Sequence, residues 1–277
     1  MDSSRIPAEV VPYERYGVPL SAHLTGPLLD LAPPTVGARV LDVACGTGLV
    51  ARSVAPLVGF AGLTLGVDVS AAMVAAARLR TAAAQLRAVY YAVMDAQALA
   101  LAPESVDVAY CQLGLMLMAQ PARAAAEIAR VLRPGGRVAA AVWGEAARVV
   151  PFAVYLAAVQ AAVPGARAPE RHAVFSLGAP GALAALLTAA GLEVEHDDRC
   201  TIVHRYADVA DYWTWGSTVV GFPVDTPSGP ATRALADYPL DVQAAVRGEV
   251  LARLAPYEQP DGSLPLPGEG VLVSARR

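Results

Sequence analysis

"RVLDVACGTGLVARSVA", Arg39 to Ala55, decides how the rest of the chain is read. Apolar residues surround one carboxylate, Asp42, and the chain then turns through Gly46 and Gly48 into a helical pattern. A buried strand that ends this way presents unpaired N–H groups and the positive end of a helix to a ligand. The two glycines allow a close approach that a side chain would block.

Outward from this turn, apolar runs alternate with Ala-rich stretches. Strands are expected at 39–44, 63–68, 88–93, 106–112 and 137–143, and helices at 48–56, 71–84, 97–101 and 122–132. The strands are short, Val-rich and apolar on both faces, as in a parallel sheet covered by helices on both sides. The expected fold class is α/β, doubly wound. "LRPGGRV" at 132–138 reads as a helix end and turn. Arg130 and Arg133 are expected in the last helical turn, with Pro134 as the stop and Gly135-Gly136 leading into the next strand. The segment to residue 36 reads as one or two short helices. Beyond Trp143 come a Pro-bracketed helix, a second helix capped by Gly191, a long strand, two further helical pieces and a last strand.

Composition narrows the chemistry. The chain has 277 residues, 55% hydrophobic and 17% charged, so it can bury a large core. The net charge of −4 argues against a nucleic-acid partner. The sequence contains no Lys, which removes P-loop and Schiff-base mechanisms. Cys45, Cys111 and Cys200 are far apart with no C-x-x-C spacing, so free thiols, a cytoplasmic location and no metal site are expected. The start of the chain does not read as a signal peptide, and the stretch between Pro151 and Pro164 is too short to cross a membrane.

In an open parallel sheet the ligand lies beyond the carboxyl ends of the strands, at the switch point. Asp68, one strand after the glycine turn, is placed to accept both hydroxyls of a ribose. Gly46-x-Gly48-x-x-Ala51 with Asp68 also fits a dinucleotide fingerprint. The contest is therefore between a nicotinamide cofactor and another adenosyl ligand. A Tyr-x-x-x-Lys relay is impossible here, and the dinucleotide reading leaves "LRPGG" unexplained.

"VLDVACGTG", "GVDVS" followed by "AAMVAAAR", "AVMDAQALALAPESVDVAYCQLGL" and "EIARVLRPGGRV" occur in this order. Together they resemble a class I S-adenosylmethionine-dependent methyltransferase, over roughly 13–144. Within that family the chain is similar to bacterial small-molecule methyltransferases related to quinone-biosynthesis enzymes. The resemblance implies a mostly parallel seven-stranded sheet of the Rossmann-like methyltransferase fold. It also implies one domain over 1–277, a helical lid at 1–36, and cap insertions at 145–178 and 205–260 over an acceptor site.

The resemblance assigns residues as well. Asp42, Ala44, Cys45, Gly46 and Gly48 would line the methionine part of the cofactor; Ala44 stands where the family often has glycine. Asp68 would hold the ribose, with Val69 and Met73 packing nearby. Asp95 and Ala96 would meet the adenine. Cys111 and Gln112 would lie beside the methyl group and sugar, and Tyr16 and His23 would close over the cofactor. Asp95 also reads as a helix N-cap, Met73 and Cys111 as core, and Tyr16 as surface packing.

The chemistry is an in-line displacement in which the enzyme aligns donor and acceptor and excludes water. A hydroxyl acceptor would gain from a base, for which His172 or His23 is the candidate; His196 and His204 read as structural. Phe152, Tyr155, Phe175, Tyr212, Trp213, Trp215 and Phe222 suggest an apolar or aromatic small-molecule acceptor, though they also read as ordinary core. O-methylation in secondary metabolism is the expected reaction, with C- or N-methylation, or cofactor binding without turnover, as alternatives. A monomer or homodimer is expected.

Overall fold

The structure is a computed structural model and describes residues 6–168, 172–226 and 229–277. Parts of the expected lid (1–5) and caps (169–171, 227–228) lie outside the described residues.

Five parallel strands form where the sequence predicts them: β1 (Arg39–Val43), β2 (Leu63–Asp68), β3 (Val89–Val93), β4 (Val106–Gln112) and β5 (Leu132–Trp143), the last starting at Leu132 rather than Arg137 and so taking in the expected turn at Gly135-Gly136. Two later strands, β6 (Glu193–Tyr206) and β9 (Leu264–Arg276), complete a seven-stranded sheet in the order β3-β2-β1-β4-β5-β9-β6. Gly136 and Arg277 pair at one end of β5 and β9, Gly144 and Glu269 at the other, so β9 runs antiparallel to β5. The chain goes from β1 to β2 and β3 on one side and returns to β4 on the other. The switch point therefore lies between β1 and β4, above Asp42.

The helices form where small apolar residues recur on one face. In α2 (Leu49–Val58), Val50, Ala51, Val54, Ala55 and Val58 are buried. In α4 (Pro121–Val131), Ala124, Ala125, Ile128, Ala129 and Val131 are buried, and Pro121 opens the helix where its missing N–H costs nothing. α3 (Ala71–Ala83) starts at Ser70, whose hydroxyl accepts the Met73 N–H at 3.3 Å.

Three expectations are corrected. Residues 97–101 form no helix; the Asp95 carboxylate accepts the Gln97 N–H at 2.8 Å and closes a turn that no helix continues. Helix α4 ends at Val131, and Leu132 already pairs with Val106, so Arg133 lies beyond the helix and bonds Asp107 at 2.7 Å. Only Arg130 stays in the last turn, where it holds Glu127 and the carbonyls of Leu99 and Leu101. The amino-terminal segment is one π turn, Tyr13–Gly17, running into a single long helix, α1 (Val18–Leu31).

The contacts of the chain fall into two compact units. One comprises 1–142, 180–199 and 271–277; the other comprises 143–179 and 200–270. The bounds of the second contain both expected insertions. It contains α5 (Val150–Ala162), α7 (Val209–Val219), α8 (Leu240–Leu254) and an unforeseen hairpin of β7 (Phe222–Thr226) and β8 (Gly229–Arg233). Helix α6 (Ala182–Ala189) belongs to the first unit.

Candidate active site

The turn after β1 is left-handed at three alternate residues: Ala44 (φ 55°), Gly46 (φ 52°) and Gly48 (φ 79°). Asp42 is 1% exposed, and its Oδ2 accepts the Ala51 N–H in the first turn of α2 at 2.9 Å. Burial raises its pKa to about 7; the Ala51 N–H opposes this, Asp68 adds to it, and Arg52 opposes it. Asp68 accepts the Gly46 N–H on Oδ2 and the Ser70 N–H on Oδ1, both at 2.9 Å. One carboxylate thus fixes the glycine turn and the β2–α3 turn together. Each of its oxygens keeps a second lone pair.

Both glycines are constrained by protein atoms. A Cβ on Gly48 would stand 2.3 Å from the Tyr91 hydroxyl, and one on Gly46 would stand 3.1 Å from the Tyr13 hydroxyl. Tyr91 is held from behind by Thr81 at 2.9 Å. Tyr13 lies across Gly17, where a Cβ would come within 2.5 Å of its ring. Burial, then Asp68 and Asp42, pushes the Tyr13 phenol up to about 12. The reading of these glycines as clearance for a ligand alone is corrected accordingly.

The first unit brings together Asp42, Ala44, Cys45, Gly46, Gly48 and Asp68. Cys45 is buried in a cluster with Ala51, Val74, Ala77 and Tyr91, and burial raises its thiol pKa well above normal. Cys111 is fully buried, its pKa pushed up to about 12 by burial, and it meets Ala44 around Gly114. Gln112 binds helix α1: its Oε1 accepts from Thr25 at 3.0 Å and its Nε2 donates to the Ser21 carbonyl at 3.1 Å. The side chain expected beside the methyl group and sugar therefore anchors α1.

Val69 is 74% exposed beside Asp68, and Met73 is half-buried. Asp95 is exposed with Ala96 buried behind it, and hydrogen bonds from Gln97 lower the Asp95 pKa. Tyr16 is buried under the Arg15 guanidinium, with its hydroxyl unpartnered among the described residues. His23 is exposed on α1. His172 belongs to the second unit; its Nδ1 accepts the Val174 N–H at 3.2 Å, which leaves Nε2–H to donate to the Gly221 carbonyl at 2.7 Å. Burial lowers its pKa, and a base there would first have to break one of these bonds.

The sequence reading missed Tyr13, Tyr91 and Thr47. The spacing Tyr13-x-x-x-Gly17 on a helical face was a signal for the first. Thr47, between the two glycines, is 1% exposed, with a hydroxyl unpartnered among the described residues. The aromatic residues are corrected too: Phe152, Tyr155, Phe175, Tyr212, Trp215 and Phe222 are buried as the second unit's own core, and only Trp213 is half-buried.

A family model described as a methyltransferase domain matches residues 41–140. Nocamycin O-methyltransferase of Saccharothrix syringae is 32% identical over 223 residues, 74% of this chain and 78% of that protein. The ubiquinone/menaquinone biosynthesis C-methyltransferase of Roseobacter denitrificans is 34% identical over 112 residues, 40% of this chain and 44% of that protein. Among solved structures, the BH2331 protein of Bacillus halodurans C-125 aligns with a TM-score of 0.62 at 19% identity, covering 91% of this chain and 97% of that one.

Proposed function

Because the chain belongs to the S-adenosylmethionine-dependent methyltransferases, we propose that it methylates an oxygen of a hydrophobic, ring-bearing small molecule of secondary metabolism. The observation that carries this reading is the similarity to nocamycin O-methyltransferase. That alignment is longer than the first unit, so it reaches into the second. The similarity to the C-methyltransferase covers 40% of the chain, and C-methylation is kept as the second reading on that ground.

The residues fit the cofactor. The buried Thr47 hydroxyl and the free lone pairs of Asp68 suit a ligand with both acceptors and hydroxyls. Asp42, poised near neutrality, suits a cationic amino-acid end. In this reading Asp68 takes the ribose hydroxyls, Val69 and Met73 pack on the nucleoside, and Asp95 and Ala96 face the base. When bound, S-adenosylmethionine supplies an electrophilic methyl group on a sulfonium. The chain's part is to hold and orient that group and keep it dry. In the same reading residues 1–36 act as the lid and the insertions 145–178 and 205–260 as caps, and His23 or His172 takes the acceptor's proton.

The test is calorimetry with S-adenosylhomocysteine and with NAD, followed by methyl transfer to a panel of phenols and ring ketones. Binding of the first ligand with turnover on oxygen is expected. Binding without turnover across the panel would favour a non-catalytic protein. For the base, a loss of less than about threefold in kcat for both His23→Ala and His172→Ala removes that role, since general bases contribute far more.

A further inference from the structure

A cavity of about 250 Å³ opens in the first unit, at the amino ends of β2 and β3. Ala55, Pro56 and Phe60, from the end of α2 and the loop after it, line it together with Gln85, Leu86 and Arg87, from the loop between α3 and β3. The glycine turn lies past the carboxyl end of β1, which runs parallel to β2. The six residues of β2, about 20 Å at the usual rise per residue, therefore separate the cavity from that turn.

The lining leaves two groups unanswered. Phe60 is 90% exposed, so its ring stands in water beside the cavity and gains by being covered. Arg87 is exposed too, and its guanidinium has no ion pair or hydrogen bond among the described residues. No carboxylate lines the cavity. The loop that carries Arg87 is fixed in place. Gln85 and Ala88, at φ 55° and 58°, bracket Leu86 and Arg87 in the left-handed region that side chains disfavour. The Leu86 N–H donates to the Thr81 carbonyl at 3.2 Å, and the Ala88 carbonyl accepts the Thr64 N–H at 2.9 Å. Strained backbone held from both ends recurs at ligand clamps, and a fixed loop spares a ligand the cost of ordering it.

The lining also sets the chemistry of an occupant. The Phe60 ring with Ala55, Pro56 and Leu86 favours a flat apolar body. A single guanidinium matches a single carboxylate, fork to fork. A dianion would call for a second cation, and Gln85 adds only a neutral amide. The volume lies below the roughly 300–1,000 Å³ of pockets for drug-sized ligands, so the occupant has one or two rings.

We propose that this cavity binds a free aromatic carboxylate of one or two rings, with the ring on Phe60 and the carboxylate on Arg87, as a site separate from the cofactor turn. The site stands on the first unit alone and does not depend on which atom the enzyme methylates.

The probe is 2-naphthoate, with 2-naphthamide as its neutral counterpart of the same shape. In NMR titrations of the isotopically labelled full chain, the acid should shift the amides of Phe60, Leu86 and Arg87. It should bind at least about threefold tighter than the amide at low ionic strength, the size expected of an exposed ion pair, and added salt should erode that preference. Arg87→Gln should bring the two probes to within about twofold of each other. Phe60→Ala should weaken both by at least about threefold, because the ring they cover is gone. Both residues are exposed, so the variants keep the fold, and both should bind S-adenosylhomocysteine within about twofold of the wild-type chain. No binding of 2-naphthoate, equal affinity for acid and amide, a preference that survives Arg87→Gln, unchanged affinity in Phe60→Ala, or displacement of 2-naphthoate by S-adenosylhomocysteine each overturns the site.

Discussion

The glycine turn of the first unit and the aromatic core of the second are both buried, and they are built in opposite ways. In the turn, the carboxylates and the Ser70 hydroxyl are answered by backbone close by in the chain: Asp42 by Ala51, Asp68 by Ser70, Ser70 by Met73. In the second unit the contacts are between rings far apart, such as Phe152 with Trp215, and several polar tips go unanswered. The first kind of construction is written in spacing; the second comes from tertiary packing. The family resemblance therefore rests on the turn, and the second unit is the part that spacing does not describe.

The largest effect should come from placing a methyl group in the turn. Gly48→Ala asks for a left-handed φ of 79° and drives a Cβ to 2.3 Å from the Tyr91 hydroxyl, with ring carbons at 2.8 and 2.9 Å. Tyr91 cannot retreat, since Thr81 holds it and a Cβ on Gly66 would already meet its ring at 2.6 Å. Left-handed strain and overpacking together should cost about 2–5 kcal/mol in urea unfolding. S-Adenosylhomocysteine affinity should fall by at least about tenfold, as a shift of this size at a positioning turn implies. A variant with wild-type stability would show that the turn is less constrained than its contacts indicate.

A pH titration sharpens the same half of the comparison. Burial holds the Asp42 pKa near 7 in the folded chain, against 3.8 for an ordinary aspartate. Between those values the folded state keeps a proton that the unfolded state has lost, so this stabilising contribution is full below about pH 4 and gone above about pH 7. The loss should amount to roughly 4 kcal/mol. Asp42→Asn keeps the acceptor for Ala51 and has nothing to titrate, so its unfolding free energy should lie flatter from pH 5 to 8. Parallel curves for the two proteins would remove the role of Asp42.

The second unit breaks the comparison at one residue. Among the described residues Tyr212 has a partner where the Tyr155 hydroxyl has none, so Tyr212→Phe strands the Pro151 carbonyl and should cost about 1–3 kcal/mol. Tyr155→Phe, with the same change of atoms, should cost nothing. Equal losses in thermal unfolding would mean that the two hydroxyls are equally satisfied.

These contrasts explain what was legible. Strands β1 to β5 and helices α2, α3 and α4 were readable because apolar period and turn residues agree there. The 97–101 stretch misled because an aspartate can cap a helix or close a turn with the same N–H, and propensity does not decide which. Asp68 was readable as a strand-end carboxylate, yet its bond to Gly46, 22 residues away, was not, because it depends on how two loops meet. Gln112 was assigned by resemblance, and its actual partners, Ser21 and Thr25, lie 91 and 87 residues away, beyond any local pattern. The hairpin of β7 and β8 carries Pro223 and Pro230, which argue against a strand in sequence and are tolerated in a two-stranded ribbon outside the main sheet.

The smallest effect should come from the residue that departs from the family's usual glycine. Ala44 holds φ 55° in the same turn as Gly48, yet its side chain has found room beside Gly114 and Cys111. Ala44→Gly relieves left-handed strain of about 1 kcal/mol and returns about 0.4–1 kcal/mol of backbone entropy to the unfolded chain. The two nearly cancel, so unfolding free energy should change by less than about 1 kcal/mol, on the stabilising side if at all. Cofactor affinity should stay within about threefold, because Ala44 offers only its backbone and a methyl group. A loss of more than about 1 kcal/mol would show that this methyl is a packing element of the β4 end, since a deleted buried methyl costs about that much. The turn would then have traded a flexible glycine for a fixed contact, and its likeness to the family would be one of shape more than of residue.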